Sequence, residues 1–81
     1  MATMTKADRE LYERSPEEYS IKRELPRLGQ RRRVGQQEAT RILLDDYIGI
    51  LEVRKMSGRP PEKIAEAERF VAILQRMVAE Q

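Results

Sequence analysis

Six basic side chains fall within twelve positions of this chain: Lys22, Arg23, Arg27, Arg31, Arg32 and Arg33, with Glu24 the one acid among them. Five of the six are arginine, whose planar fork of donors matches a phosphate or a carboxylate. Such a cluster suits a nucleic-acid backbone or an acidic protein surface. It has no interleaved aromatic residue, so stacking of single-stranded bases is unsupported. The rest of the chain is net acidic: residues 1–21 carry three basic and five acidic residues, and residues 34–81 carry seven and eight. That balance is unlike a dedicated nucleic-acid binder. The arginines are expected to meet acids, either those of the N-terminal helices or those of a partner.

The other chemistry-bearing residues are few. Asp45-Asp46 is an adjacent carboxylate pair, but neighbours on a helix point about 100° apart and cannot converge on one atom or metal. Asp45 lies on a polar strip with Arg41 and Glu52. Asp46 falls inside an apolar arc, where burial would require a partner such as Arg54. With no His, no Cys and three serines in 81 residues, neither a thiolate nor a His-activated nucleophile can be built. The scattered glycines form no phosphate loop. No catalytic residue, metal site or cofactor is therefore expected, and the chain reads as a binding protein rather than an enzyme.

One or two short N-terminal helices, a basic connector and two long helices must position these residues. Thr5 with Asp8 marks a weak start for a helix from Lys6 to about Arg14. Ser15-Pro16-Glu17-Glu18 is a stronger one: a capping serine, a proline suited to the first turn, and two acids at the positive end of the dipole. That helix is expected to stop by Leu25, because Pro26 restricts the residue before it and cannot donate. Residues 26–35 then read as an irregular basic connector with glycines at its bends. A long helix follows over about 36–57, ended by Gly58 and the two prolines after it. The last helix spans about 61–79, with Ala67, Phe70, Val71, Leu74, Met77 and Val78 on one stripe.

The predicted fold class is all-α, a single small domain over 1–81. Its parts are short acidic helices (1–25), the basic connector (26–35) and a long antiparallel helical hairpin (36–81). Apolar residues on the long helix cover an arc of about 240°, far wider than the stripe of about 100° on an ordinary surface helix. One neighbouring helix cannot cover that arc. The candidates are the N-terminal helices folding back through Leu11, Tyr12, Tyr19, Ile21 and Leu25, a second copy of the chain, or a target protein. The N-terminal third is poor in apolar residues, so a second copy is the expected cover, giving a dimeric helical bundle. Leu44, Ile48, Leu51 and Tyr47, with Phe70 and Leu74, are the residues expected at that self-association surface. Gly49 is either a tolerated helical glycine or a point where another helix crosses closely.

The segments also argue against several functions. No apolar run resembles a secretory signal or a membrane span, so the expected location is cytoplasmic, with no membrane partner. The last helix opens Pro61-Glu62-Lys63-Ile64-Ala65-Glu66, an acidic start that phosphates would repel in a DNA-reading helix. What remains is an adaptor, inhibitor or accessory subunit that docks another protein. Tyr12, Tyr19 and the clustered arginines are its expected contacts, since Tyr and Arg are enriched at interface hot spots. Nucleic-acid binding through residues 22–33 is the alternative, and a structural part of a larger assembly such as a virion is another.

Overall fold

A computed structural model describes residues 4–81 of the chain. Four α-helices follow one another: α1 (Lys6–Arg14), α2 (Pro16–Arg32), α3 (Gln36–Met56) and α4 (Pro61–Ala79), with no strand among the described residues. Their starts follow from local chemistry. The Thr5 hydroxyl accepts the Asp8 N–H at 3.1 Å, and the Ser15 hydroxyl accepts the Glu18 N–H at 3.3 Å. Each satisfies a donor that the first turn of a helix leaves unpaired. Pro16 and Pro61 occupy the first turns of α2 and α4, where a missing N–H costs nothing. At the end of α3, Gly58 takes φ +66°, and the Arg59 N–H donates to the Arg54 carbonyl at 3.0 Å. Glycine reaches that left-handed conformation without strain.

The basic segment differs from expectation. Rather than ending at Leu25, α2 continues through Pro26 to Arg32, so most of the predicted connector over 26–35 is helix. Only Arg33, Val34 and Gly35 link α2 to α3. Pro26 deprives the Lys22 carbonyl of its donor, but it lies on the exposed face, where solvent can take that carbonyl. Leu25 and Leu28 flank it and are 3% and 2% exposed. Burying two leucines favours continuation by about 3–6 kcal/mol, which offsets one lost hydrogen bond and the ring's crowding. Where the chain reverses, the Val34 N–H donates to the Gly29 carbonyl at 3.0 Å. A Cβ on residue 29 would sit 3.1 Å from the Val34 carbonyl oxygen, so glycine makes the room.

The core follows from where α2 goes. Ile21, Leu25 and Leu28 from α2 meet Ala39 and Leu43 from α3 and Leu74 from α4 in one buried cluster. Beside it lies Thr40, the buried polar residue. Its hydroxyl donates to the Gln36 carbonyl at 2.7 Å and accepts from the Gln81 amide at 2.9 Å. Between α3 and α4, Arg54 meets Lys63 and Glu66, Tyr47 meets Phe70, and Thr40 meets Gln81. Positions advance on one helix as they retreat on the other, so α4 returns along α3.

In this fold α2 of the same chain covers the wide apolar arc at Ala39 and Leu43, in the first half of α3. There the cover is not a second copy. Leu28, which the sequence reading left in the connector, supplies part of it. Towards the C-terminal end of α3 that cover is missing, and Ile50 and Val53 of the arc are exposed, as is Met56 beyond it. The remaining helix, α1, packs on α2 alone and buries no residue. Among the described residues, no helix is long and apolar enough to cross a membrane.

Candidate functional site

Continuity of α2 past Pro26 decides the geometry of the basic cluster. Tyr19, Arg23, Arg27 and Arg31 recur every four positions, so each step turns about 40° and rises about 6 Å. All four line one shallow groove, together with Ser20 and Glu24. The groove lies away from Ile21, Leu25 and Leu28, which point into the core. Beside the groove, the Tyr12 ring of α1 meets that of Tyr19 edge to face at 5.5 Å. The Arg23 guanidinium lies 5.7 Å from the centre of the Tyr19 ring and donates to the Tyr19 hydroxyl at 3.5 Å.

Three of the expected contacts lie elsewhere. Lys22 turns to Glu18, with its ammonium 3.8 Å from that carboxylate. Arg32 sits about 180° around the helix from Arg23. Arg33 adopts left-handed backbone at φ 56°, and its N–H caps the Gly29 and Gln30 carbonyls. So the structure gathers Tyr12, Tyr19, Arg23, Arg27 and Arg31 on one face and places Lys22, Arg32 and Arg33 off it. Ser20 and Glu24 belong to the groove and were missed. Both lie within the helix expected up to Leu25, so their positions beside Tyr19 and Arg23 would have placed them there.

The acids of the N-terminal third do not meet these arginines. Glu17 pairs with Arg69 on α4. Glu18, 14% exposed, gathers Arg76 of α4 at 2.6 Å with Arg14 and Lys22 at 3.8 Å. Among the described residues, Arg23, Arg27, Arg31, Arg32 and Arg33 form no ion pair. Their forks face solvent. The expectation that the N-terminal acids neutralise them gives way: Glu17 and Glu18 are taken by α4, and no other acid pairs with these arginines among the described residues.

The residues assigned to self-association divide in the same way. Leu74 is fully buried within the chain, and Tyr47 stacks on Phe70 with ring centres 4.4 Å apart. Leu44, Ile48 and Leu51 are partly buried. Burial raises the Tyr47 pKa above its ordinary value of 10.0, Glu24, Glu66 and Asp46 add to the rise, and Arg54 opposes it. Asp46 is exposed and has no partner in Arg54, which is bound to the Glu66 carboxylate at 3.2 Å and the Lys63 carbonyl at 2.6 Å. Asp46, Gly49, Ile50 and Val53 instead line an open groove with Arg59 and Lys63. Among the described residues, no cluster of three or more acidic side chains is placed to hold a metal ion.

Comparison with protein-family models, with curated proteins and with solved structures finds no match to this chain.

Proposed function

We propose that this chain is a non-enzymatic docking protein, an adaptor, inhibitor or accessory subunit, that grips an acidic protein surface with the outer face of α2. The α3–α4 helical hairpin is the scaffold, and the ion pairs from α4 to Glu17 and Glu18 hold α2 across it. One observation carries the reading: Tyr19, Arg23, Arg27 and Arg31 line one solvent-facing groove with Tyr12 packed on Tyr19, and among the described residues none of these arginines forms an ion pair. Tyrosine and arginine are the residue types that dominate interface energetics. Glu24 in the same groove adds an acceptor, which suits a protein donor and repels a phosphate.

A second reading keeps the same face and takes a nucleic-acid backbone as its partner. The unpaired guanidinium forks support it, since phosphate contacts need cations free of competing acids. Fluorescence anisotropy with two labelled probes of equal charge, a poly-glutamate peptide and a short duplex DNA, separates the readings. The docking reading expects the peptide to bind as tightly as the DNA or more tightly. It also expects replacement of Arg23, Arg27 and Arg31 by Ala to weaken peptide binding about tenfold or more. Preference for DNA with a steep salt dependence would replace the first reading by the second, and failure to bind either probe would overturn both.

A further inference from the structure

The four rungs of the α2 groove differ in kind. Tyr19 is aromatic, while Arg23, Arg27 and Arg31 are cations that form no ion pair among the described residues. Tyr12 packs edge-on against Tyr19 and is 49% exposed, so open ring surface lies at the aromatic end. Between Arg23 and Arg31 the lining is polar, completed by Ser20 and Glu24. A docking helix is held by apolar anchors at successive turns, and this stretch supplies none. A helix also turns its own four-residue row about 40° per step, so carboxylates one turn either side of the crossing point away from α2. An extended chain is different. Its alternate side chains share one side and stand about 6.6 Å apart, against a step of about 6 Å on the ladder. Over the three steps from Tyr19 to Arg31 the mismatch is about 2 Å, within the reach of long arginine side chains.

We propose that the acidic surface gripped by α2 is an extended segment of about seven residues in another protein. Three alternate carboxylates of that segment meet Arg23, Arg27 and Arg31, and an apolar side chain two residues beyond them covers the Tyr12–Tyr19 pair. This rests on the docking reading above and names the feature that the groove recognises. Arg23 is oriented before the partner arrives, because its guanidinium lies 5.7 Å from the centre of the Tyr19 ring and donates to the Tyr19 hydroxyl. Such preorganisation lowers the ordering cost of binding. Glu24, in the same groove, repels a segment whose acids fall out of step with the ladder.

Fluorescence anisotropy with labelled peptides of one composition tests it, at protein concentrations up to about 1 mM. The alternating peptide reads Leu-Ser-Glu-Ser-Glu-Ser-Glu, or its reverse. The block peptide groups the same residues as Leu-Glu-Glu-Glu-Ser-Ser-Ser, or its reverse. The better alternating peptide is expected to bind about fivefold or more tightly than either block peptide. Replacing its leucine by serine should weaken binding to the wild-type chain about threefold or more, and binding to Tyr12→Ala less than about twofold. Tyr12→Ala should keep its helical content, since Tyr12 is half exposed and α1 buries no residue. Equal binding of alternating and block peptides, or a leucine that counts equally with and without Tyr12, overturns the extended segment and leaves the docking reading in place. Tighter binding of a helix-stapled peptide with glutamates four residues apart overturns it in favour of a helical partner. Failure of every peptide to bind, poly-glutamate included, overturns both.

Discussion

Arg76 on α4 reaches Glu18 in the first turn of α2 at 2.6 Å, across 58 positions of sequence. Glu18 also lies within 3.8 Å of Arg14 and Lys22, so one carboxylate ties together the end of α1, the start of α2 and the last turn of α4. This junction leaves the arginines further along α2 without acids of their own. Glu18→Gln should therefore loosen α2 from α4. The cation partners are more than half exposed, which limits the loss to about 1 kcal/mol. Urea unfolding at low salt should read a lower midpoint with unchanged slope, and the difference from wild type should shrink as salt is raised.

Pro26 is the one proline inside a helix. Its ring crowds the preceding turn and leaves the Lys22 carbonyl without a donor, and it faces solvent rather than packing. Pro26→Ala should stabilise the chain by about 1–3 kcal/mol, read as a higher melting temperature with α2 unchanged in extent. A loss of stability would mean that the proline shapes a bend on which the packing of Leu25 and Leu28 depends.

Arg33 holds left-handed backbone at φ 56°, a conformation that costs an L residue about 1–2 kcal/mol. Glycine adopts it freely, so Arg33→Gly should raise stability by about 1 kcal/mol. Chemical denaturation measures this. Because Arg33 lies off the groove, the change should leave binding of an acidic probe nearly unaltered.

Tyr47 stacks on Phe70 in a half-buried position, and burial raises its pKa above 10.0. A pKa higher in the folded than in the unfolded chain contributes stability that is complete below the unfolded value. That contribution is lost as pH rises through the folded one. Stability should therefore fall above about pH 10, and Tyr47→Phe should flatten that fall while keeping the ring stack. Urea midpoints between pH 8 and pH 11, about the ordinary phenol pKa, are the measurement.

Helix type was legible wherever a cap and a periodic stripe agreed. Ser15-Pro16-Glu17-Glu18 marked the start of α2, and Gly58-Arg59-Pro60-Pro61 marked the break between α3 and α4. The error arose at Pro26, where a local rule met a tertiary one. A proline's cost is visible in sequence, but the burial of Leu25 and Leu28 that outweighs it exists only once α3 and α4 are in place. Everything downstream of that stop was displaced with it. The arginines became a floppy cluster instead of a ladder, and Leu28 was lost from the core. With α2 cut short, a second copy was expected to complete the cover of α3, at Leu44, Ile48, Leu51 and Tyr47 with Phe70 and Leu74, and the cover that α2 gives Ala39 and Leu43 went unread. The width of the apolar arc on α3 was read from the sequence; which half α2 would leave open could not be, because periodicity carries no information about the path of another helix.

The ladder itself makes a prediction that separates a helix from a flexible polycation. On a continuous α2, Arg27 and Arg31 stand with Arg23 along the groove, whereas Arg32 sits about 180° from Arg23. Arg27→Ala and Arg31→Ala should each weaken binding of a poly-glutamate probe about three- to tenfold, and Arg32→Ala should change it less than about twofold. The total charge removed is the same in all three, so net electrostatic attraction cannot produce the difference. Anisotropy titrations at two salt concentrations measure it. Equal losses for Arg27, Arg31 and Arg32 would mean that the partner reads the charge of the segment and not the face of the helix.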